Sequence, residues 1–107
     1  MRQLVQACYR PKSAGDVPAL LELIREHVPT LRSEGLATDR EPVVLRSEDG
    51  SFIEIFEWES ARAIEAAHTN PVVAALWERF ARVSEYGTLA DLPEAQRPFG
   101  AFELIEL

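Results

Sequence analysis

The sequence contains a single cysteine, Cys8, in 107 residues. One thiol excludes an internal disulfide and the small stapled folds that depend on them, so a reduced, cytoplasmic setting is expected. No apolar run approaches the ~20 residues a helix needs to cross a bilayer, and the opening MRQLVQACYRP carries an arginine but no long apolar segment. Neither a membrane partner nor a removable leader is expected. Basic residues are outnumbered, 11 Lys and Arg against 18 Asp and Glu, for a net charge of −7. They are scattered rather than striped, which argues against a nucleic-acid partner. Histidine occurs only twice, at His27 and His68. With no HExxH spacing, P-loop or dinucleotide fingerprint, no metal and no cofactor is expected.

What is present is ordinary globular material: 47% hydrophobic and 27% charged residues, enough to close one core. A single domain over residues 1–107 is expected. From Arg2 to Arg10 apolar residues fall on both alternating sides, Leu4, Gln6 and Cys8 on one and Val5, Ala7 and Tyr9 on the other, which reads as a strand covered on both faces. Pro11 ends it. In GDVPALLELIREHVPTLRSEG, Asp16 is placed to cap a helix, Pro18 lies in its first turn, and Gly35 stops it. Val17, Leu20, Ile24, Val28 and Leu31 share its inner face, and Pro29 is expected to break one backbone hydrogen bond and kink the helix near its end.

The segments VVLRS and SFIEIFEW flank EDG, and Asp49-Gly50 between two apolar runs is a strong hairpin signal. Alternation in the third strand puts Phe52, Glu54, Phe56 and Trp58 on one face and Ile53, Ile55 and Glu57 on the other. Ser60 caps the next helix, with Ala61, Ile64 and His68 on one side; TNP interrupts it, and Asn70 with Pro71 restarts it. Val72, Val73, Leu76, Phe80 and Val83 then line the core, Gly87 is expected to stop the helix, and FGAFELIEL supplies the last strand. This order is βαββαβ, the split βαβ pattern of an α+β ferredoxin-like fold with a four-stranded antiparallel sheet and both helices on one face. Apolar residues on both sides of every strand leave the other face in need of a cover, and a second copy of the chain is the expected partner.

The stretches FEWESARAIEAAH and NPVVAALW, within Glu57 to Trp77, resemble the third-strand and second-helix signature of the dimeric α/β-barrel superfamily. Within it the chain is similar to antibiotic-biosynthesis-monooxygenase-like (ABM-like) small proteins. The resemblance implies a homodimeric barrel. The group includes cofactor-free oxygenases acting on polycyclic phenols, haem-degrading monooxygenases, muconolactone-isomerase-like enzymes and proteins without known activity. The positions that carry tryptophan and the haem-ligating histidine in the haem-degrading branch are Ala67 and Trp77 here, so the resemblance implies no haem.

Two residues are candidates for proton transfer. Glu54, a carboxylate between Phe52 and Phe56 on an enclosed strand face, reads as a general acid or base, or equally as the partner of Arg46 or Arg10 in a cross-strand ion pair. His68 reads as a catalytic imidazole or as a histidine that finishes a helix where it breaks. His27 flanks the first helix's apolar stripe and reads as structural. Phe56, Trp58 and Trp77, with Phe80 and Tyr86, are expected to pack the core or to hold an aromatic ring; Cys8 reads as a buried, inert thiol. Two functions follow as expectations: a small enzyme, for which the resemblance implies a cofactor-free oxygenase, in which Glu54 or His68 takes a phenolic proton while Phe56, Trp58 and Trp77 hold an aromatic small molecule; or a non-catalytic dimeric barrel that binds a small ligand.

Overall fold

The computed structural model describes residues 1–107. Five strands and three α-helices follow one another as β1 (Gln3–Pro11), α1 (Val17–Ser33), β2 (Val43–Arg46), β3 (Phe52–Trp58), α2 (Ala61–Ala67), α3 (Pro71–Val83), β4 (Ser84–Gly87) and β5 (Glu103–Leu104). The protein is an α+β fold around one sheet of order β4-β1-β3-β2-β5, antiparallel at every pairing. No helix is long and apolar enough to cross a membrane.

Local signals act where the sequence places them. Gly35 takes φ 75°, a conformation that costs other residues steric strain. There its N–H reaches Arg32 O at 2.9 Å and Leu36 N–H reaches Leu31 O at 2.9 Å, the paired closure of a Schellman turn that satisfies two orphan carbonyls of α1. Gly50, at φ 91°, turns the β2–β3 hairpin, and Asp49 Oδ1 accepts from Ser51 N at 2.8 Å. Ser60 Oγ caps α2 by accepting from Ala63 N at 3.0 Å, and Asn70 Oδ1 caps α3 by accepting from Val72 N and Val73 N. Asp16 stands at the head of α1 without capping it through its side chain; its carboxylate accepts instead from the Ser13 hydroxyl. Pro29 lies within α1, exposed, and the helix continues four residues beyond it to Ser33.

The strand faces divide as alternation requires. Tyr9, Val44, Phe52, Phe56 and Trp58 turn toward α1 and α3 and join Leu20, Leu23, Ile24, Val28, Leu31, Val73, Leu76 and Phe80 in two adjoining buried clusters. Each fully buried large side chain contributes roughly 1.5–3 kcal/mol of transfer free energy. Cys8 and Ile53 turn to the opposite face, where Leu92 covers them and Leu45, Ile55 and Phe102 pack alongside.

Two features depart from expectation. The sheet has five strands rather than four. The expected stop of the last helix at Gly87 also fails: α3 ends at Val83, Ser84 Oγ donates to Phe80 O at 2.8 Å, and Ser84–Gly87 pairs along β1 from Pro11 to Cys8. No loop separates this helix from its strand, so no turn residue marks the boundary. The final strand shrinks to Glu103–Leu104, hydrogen-bonded at the outer edge of β2. The chain between β4 and β5, through Leu92 and Phe102, covers part of the face that the sequence leaves bare.

Candidate functional site

Three inward-facing polar side chains arise on three different elements. β3 presents Glu54 between Phe52 and Phe56; β1 presents Tyr9, whose neighbour Ala7 stands opposite Glu54 in the antiparallel register, so Tyr9 reaches it diagonally. α1 presents His27 on the same stripe as Ile24 and Leu31, all buried. The three converge. Tyr9 Oη donates to Glu54 Oε1 at 2.7 Å, and His27 Nδ1 lies 2.8 Å from the same oxygen. A fourth member comes from α3: Trp77 Nε1 donates to His27 Nε2 at 3.0 Å.

Hydrogen-bond direction fixes the imidazole. An indole nitrogen only donates, so His27 Nε2 offers a lone pair and the ring proton sits on Nδ1, where it donates to Glu54. The His27–Glu54 contact is therefore a hydrogen bond from a neutral ring rather than a pairing of two full charges. Oε1 receives both donors, while Oε2 is buried with no hydrogen-bond partner within the protein. Burial foremost, then the charge of Glu54 and the hydrogen bond to it, push the Tyr9 phenol well above its ordinary range, which keeps Tyr9 a donor.

Aromatic rings wall this network. His27 meets Phe56 and Phe80 edge-on, each at 5.2 Å between centroids, and Tyr9 stacks on Phe80 at 5.0 Å. Glu54 is 0% exposed, Tyr9 2% and His27 3%; Trp77 is the one member that reaches solvent, half-buried at the seam where both core clusters meet.

Other candidates stand apart. His68 follows the last turn of α2, exposed, with its ring edge-on to Trp77 at 5.4 Å, and does not meet Glu54. Neither arginine pairs with Glu54: Arg46 lies over the Phe52 ring at 5.7 Å, and Arg10 reaches toward Gly87 on the edge strand. Phe56 and Trp58 are core residues, tilted against each other at 5.4 Å, and Tyr86 is exposed. Cys8 is buried on the far face, where burial raises its thiol above the ordinary value. His27, which reads from the sequence as structural, links α1 to β3 through Glu54, and Ile24 and Leu31 on either side of it mark it as inward-facing.

The five principal clefts lie elsewhere. None is lined by Glu54 or His68. Side chains close over Glu54, whereas a cleft of about 480 Å³ opens between α1 and the β2–β5 edge beside Ile24, Pro29, Val44 and Ile105, and an apolar groove of about 290 Å³ opens on the opposite face beside Leu4, Leu45, Ile53, Ile55, Leu89 and Phe102. No group of three or more His, Cys, Asp or Glu residues is gathered to hold a metal ion. Compared with known proteins, the sequence matches no family model and no curated protein.

Proposed function

We propose that this chain is a ferredoxin-like, ABM-like homodimer that takes the proton of an acidic phenol or enol on an aromatic small molecule, with Glu54 as the acceptor and dioxygen as the oxidant of the resulting electron-rich anion. The observation that carries this reading is the unpartnered Oε2 of Glu54 inside an aromatic shell. A buried carboxylate oxygen without a donor costs free energy that a stable core would normally avoid, and a ligand O–H supplies the missing donor. Tyr9 and His27, both on Oε1, hold the carboxylate so that Oε2 remains free for that proton. Phe56 and Trp77 flank His27 and supply ring contacts for the ligand. Trp58 stands behind Phe56. His68 has no part in the proton transfer on this reading.

The filled space around Glu54 favours a second reading, a non-catalytic barrel in which the network specifies the core. Titration with 4-nitrophenol separates them, at a pH where the free phenol is protonated. The wild type is expected to develop the phenolate absorption band on binding, and Glu54→Gln, which keeps an oxygen for Tyr9 and His27, to bind without it. Thermal unfolding of the Gln variant checks that it is folded. Identical spectra from the two proteins, or no phenolate in either, sink the proton-acceptor assignment and leave the structural reading.

A further inference from the structure

Trp77 makes a contact unlike those of the other core aromatics. Its indole places a ring N–H 3.0 Å from a buried histidine acceptor, and its outer edge meets solvent beside His68. Tyr9, Glu54 and His27 lie behind it, all nearly fully buried. The route from solvent to Glu54 along the hydrogen-bonded chain thus passes first through Trp77, then His27. Trp77 packs against both core clusters without belonging to the fully buried set of either. Its side chain fills the seam between the two clusters.

We propose that Trp77 is an internal occupant of an aromatic hydrogen-bond-donor site built on His27 Nε2, and that ligands of the buried site gain access by displacing its indole. This rests on the proposed function for what the site is used for, but not for whether it exists. The chemistry sets the ligand class. A planar bicyclic ring matches the volume the indole vacates, and a ring O–H or N–H replaces the indole donor in kind, so the exchange leaves His27 with its Nδ1 proton still directed to Glu54. A ring of the same shape lacking a donor leaves Nε2 buried and unsatisfied, a loss equivalent to roughly ten- to hundredfold in affinity. The same exchange accounts for a site that is filled in the free protein: the occupant belongs to the chain itself. It also gives Glu54 Oε2 its first donor, since a ligand with two hydroxyls engages both His27 and Glu54, which one indole N–H cannot.

The test uses the wild-type protein, 2-naphthol as probe and the two indole N–H resonances as the readout, one from Trp77 and one from Trp58. Bound naphthol is expected to shift the Trp77 resonance and speed its exchange with water, to leave Trp58 in place, and to bind at least tenfold more tightly than 2-methoxynaphthalene. A second measurement uses Trp77→Ala, in which indole is expected to raise the melting temperature and 1-methylindole, without its N–H, to do so only at tenfold or higher concentration. Naphthol that binds while the Trp77 N–H keeps its protection overturns the displacement and leaves Glu54 as proton acceptor untouched. Equal affinity of the paired probes, or no naphthol binding to the wild type, also overturns it. Displacement of Trp77 with no phenolate in the nitrophenol titration upholds the site and sinks the proton-transfer reading alone.

Discussion

Replacing Tyr9 by Phe removes one oxygen atom and little else. The ring keeps its stack on Phe80, 5.0 Å between centroids and 19° between planes, so packing is conserved and the change isolates the 2.7 Å bond from Oη to Glu54 Oε1. A hydrogen bond to a charged group contributes about 1.5–3 kcal/mol and one between neutral groups about 0.5–1.5. Because Oε2 already lacks a partner, the variant leaves His27 as the sole donor to the whole carboxyl group. A loss of about 2 kcal/mol is expected at neutral pH, read from urea unfolding with an unchanged slope. The pH arm is more specific. An unfolded tyrosine titrates near 10, and the folded value for Tyr9 is raised well above that by burial and then by Glu54. Its contribution is whole below pH ~10 and declines as the pH rises further, since the unfolded chain releases a proton that the native state retains. The decline is about 1.4 kcal/mol per pH unit until the folded value is reached. Tyr86, its phenol raised by partial desolvation and then by Glu54, is common to both proteins and drops out of the comparison. The gap between wild type and variant should therefore close by about 1.4 kcal/mol one unit above pH ~10. Equal stability at neutral pH, or parallel curves through the alkaline range, would refute the buried donor role.

Two further outcomes rest on packing. Trp58→Ala removes a 5%-exposed indole from the cluster around Phe56 and Ala67 and should cost about 3–5 kcal/mol, seen as a lower denaturant midpoint; an unmoved midpoint contradicts its core placement. The groove beside Leu4, Leu45 and Ile55, with Leu4 and Val43 exposed nearby, is apolar surface on the face away from the helices, and the proposed homodimer buries it. Sedimentation equilibrium at micromolar concentration should give twice the 12.0 kDa chain mass, and a single 12.0 kDa species excludes the dimer.

Short-range signals were legible in the sequence because their partners are a few residues away. Ser60 and Asn70 cap the helices they precede, Gly35 closes α1, and Asp49-Gly50 turns the hairpin. β4 was not legible, since SEYG is short, exposes both Glu85 and Tyr86, and is joined to α3 without a loop. Its identity comes from the unpaired edge of β1, where residues Pro11 to Cys8 offer backbone groups that need partners. Long-range sheet edges of this kind carry almost no local mark.

The candidate site was half legible for a related reason. Alternation places Glu54 inward, and a cross-strand arginine is the partner that local pairing suggests. The register instead sets Val44 opposite Glu54 and Arg46 opposite Phe52, so the arginine head settles over a ring. The true partners lie 27 and 45 residues away in sequence. A constraint was nevertheless present: Tyr9, Glu54 and His27 each fall on the inward face of their own element, and buried polar groups must find one another or lose stability. Three such groups on three adjacent elements admit few pairings. Oxygen and nitrogen valence then does the rest, because a histidine with Trp77 on Nε2 has one proton to give and Glu54 has two oxygens to satisfy. With both donors gathered on Oε1, the count leaves Oε2 one donor short, and that deficit is what distinguishes this network from a fully matched structural core.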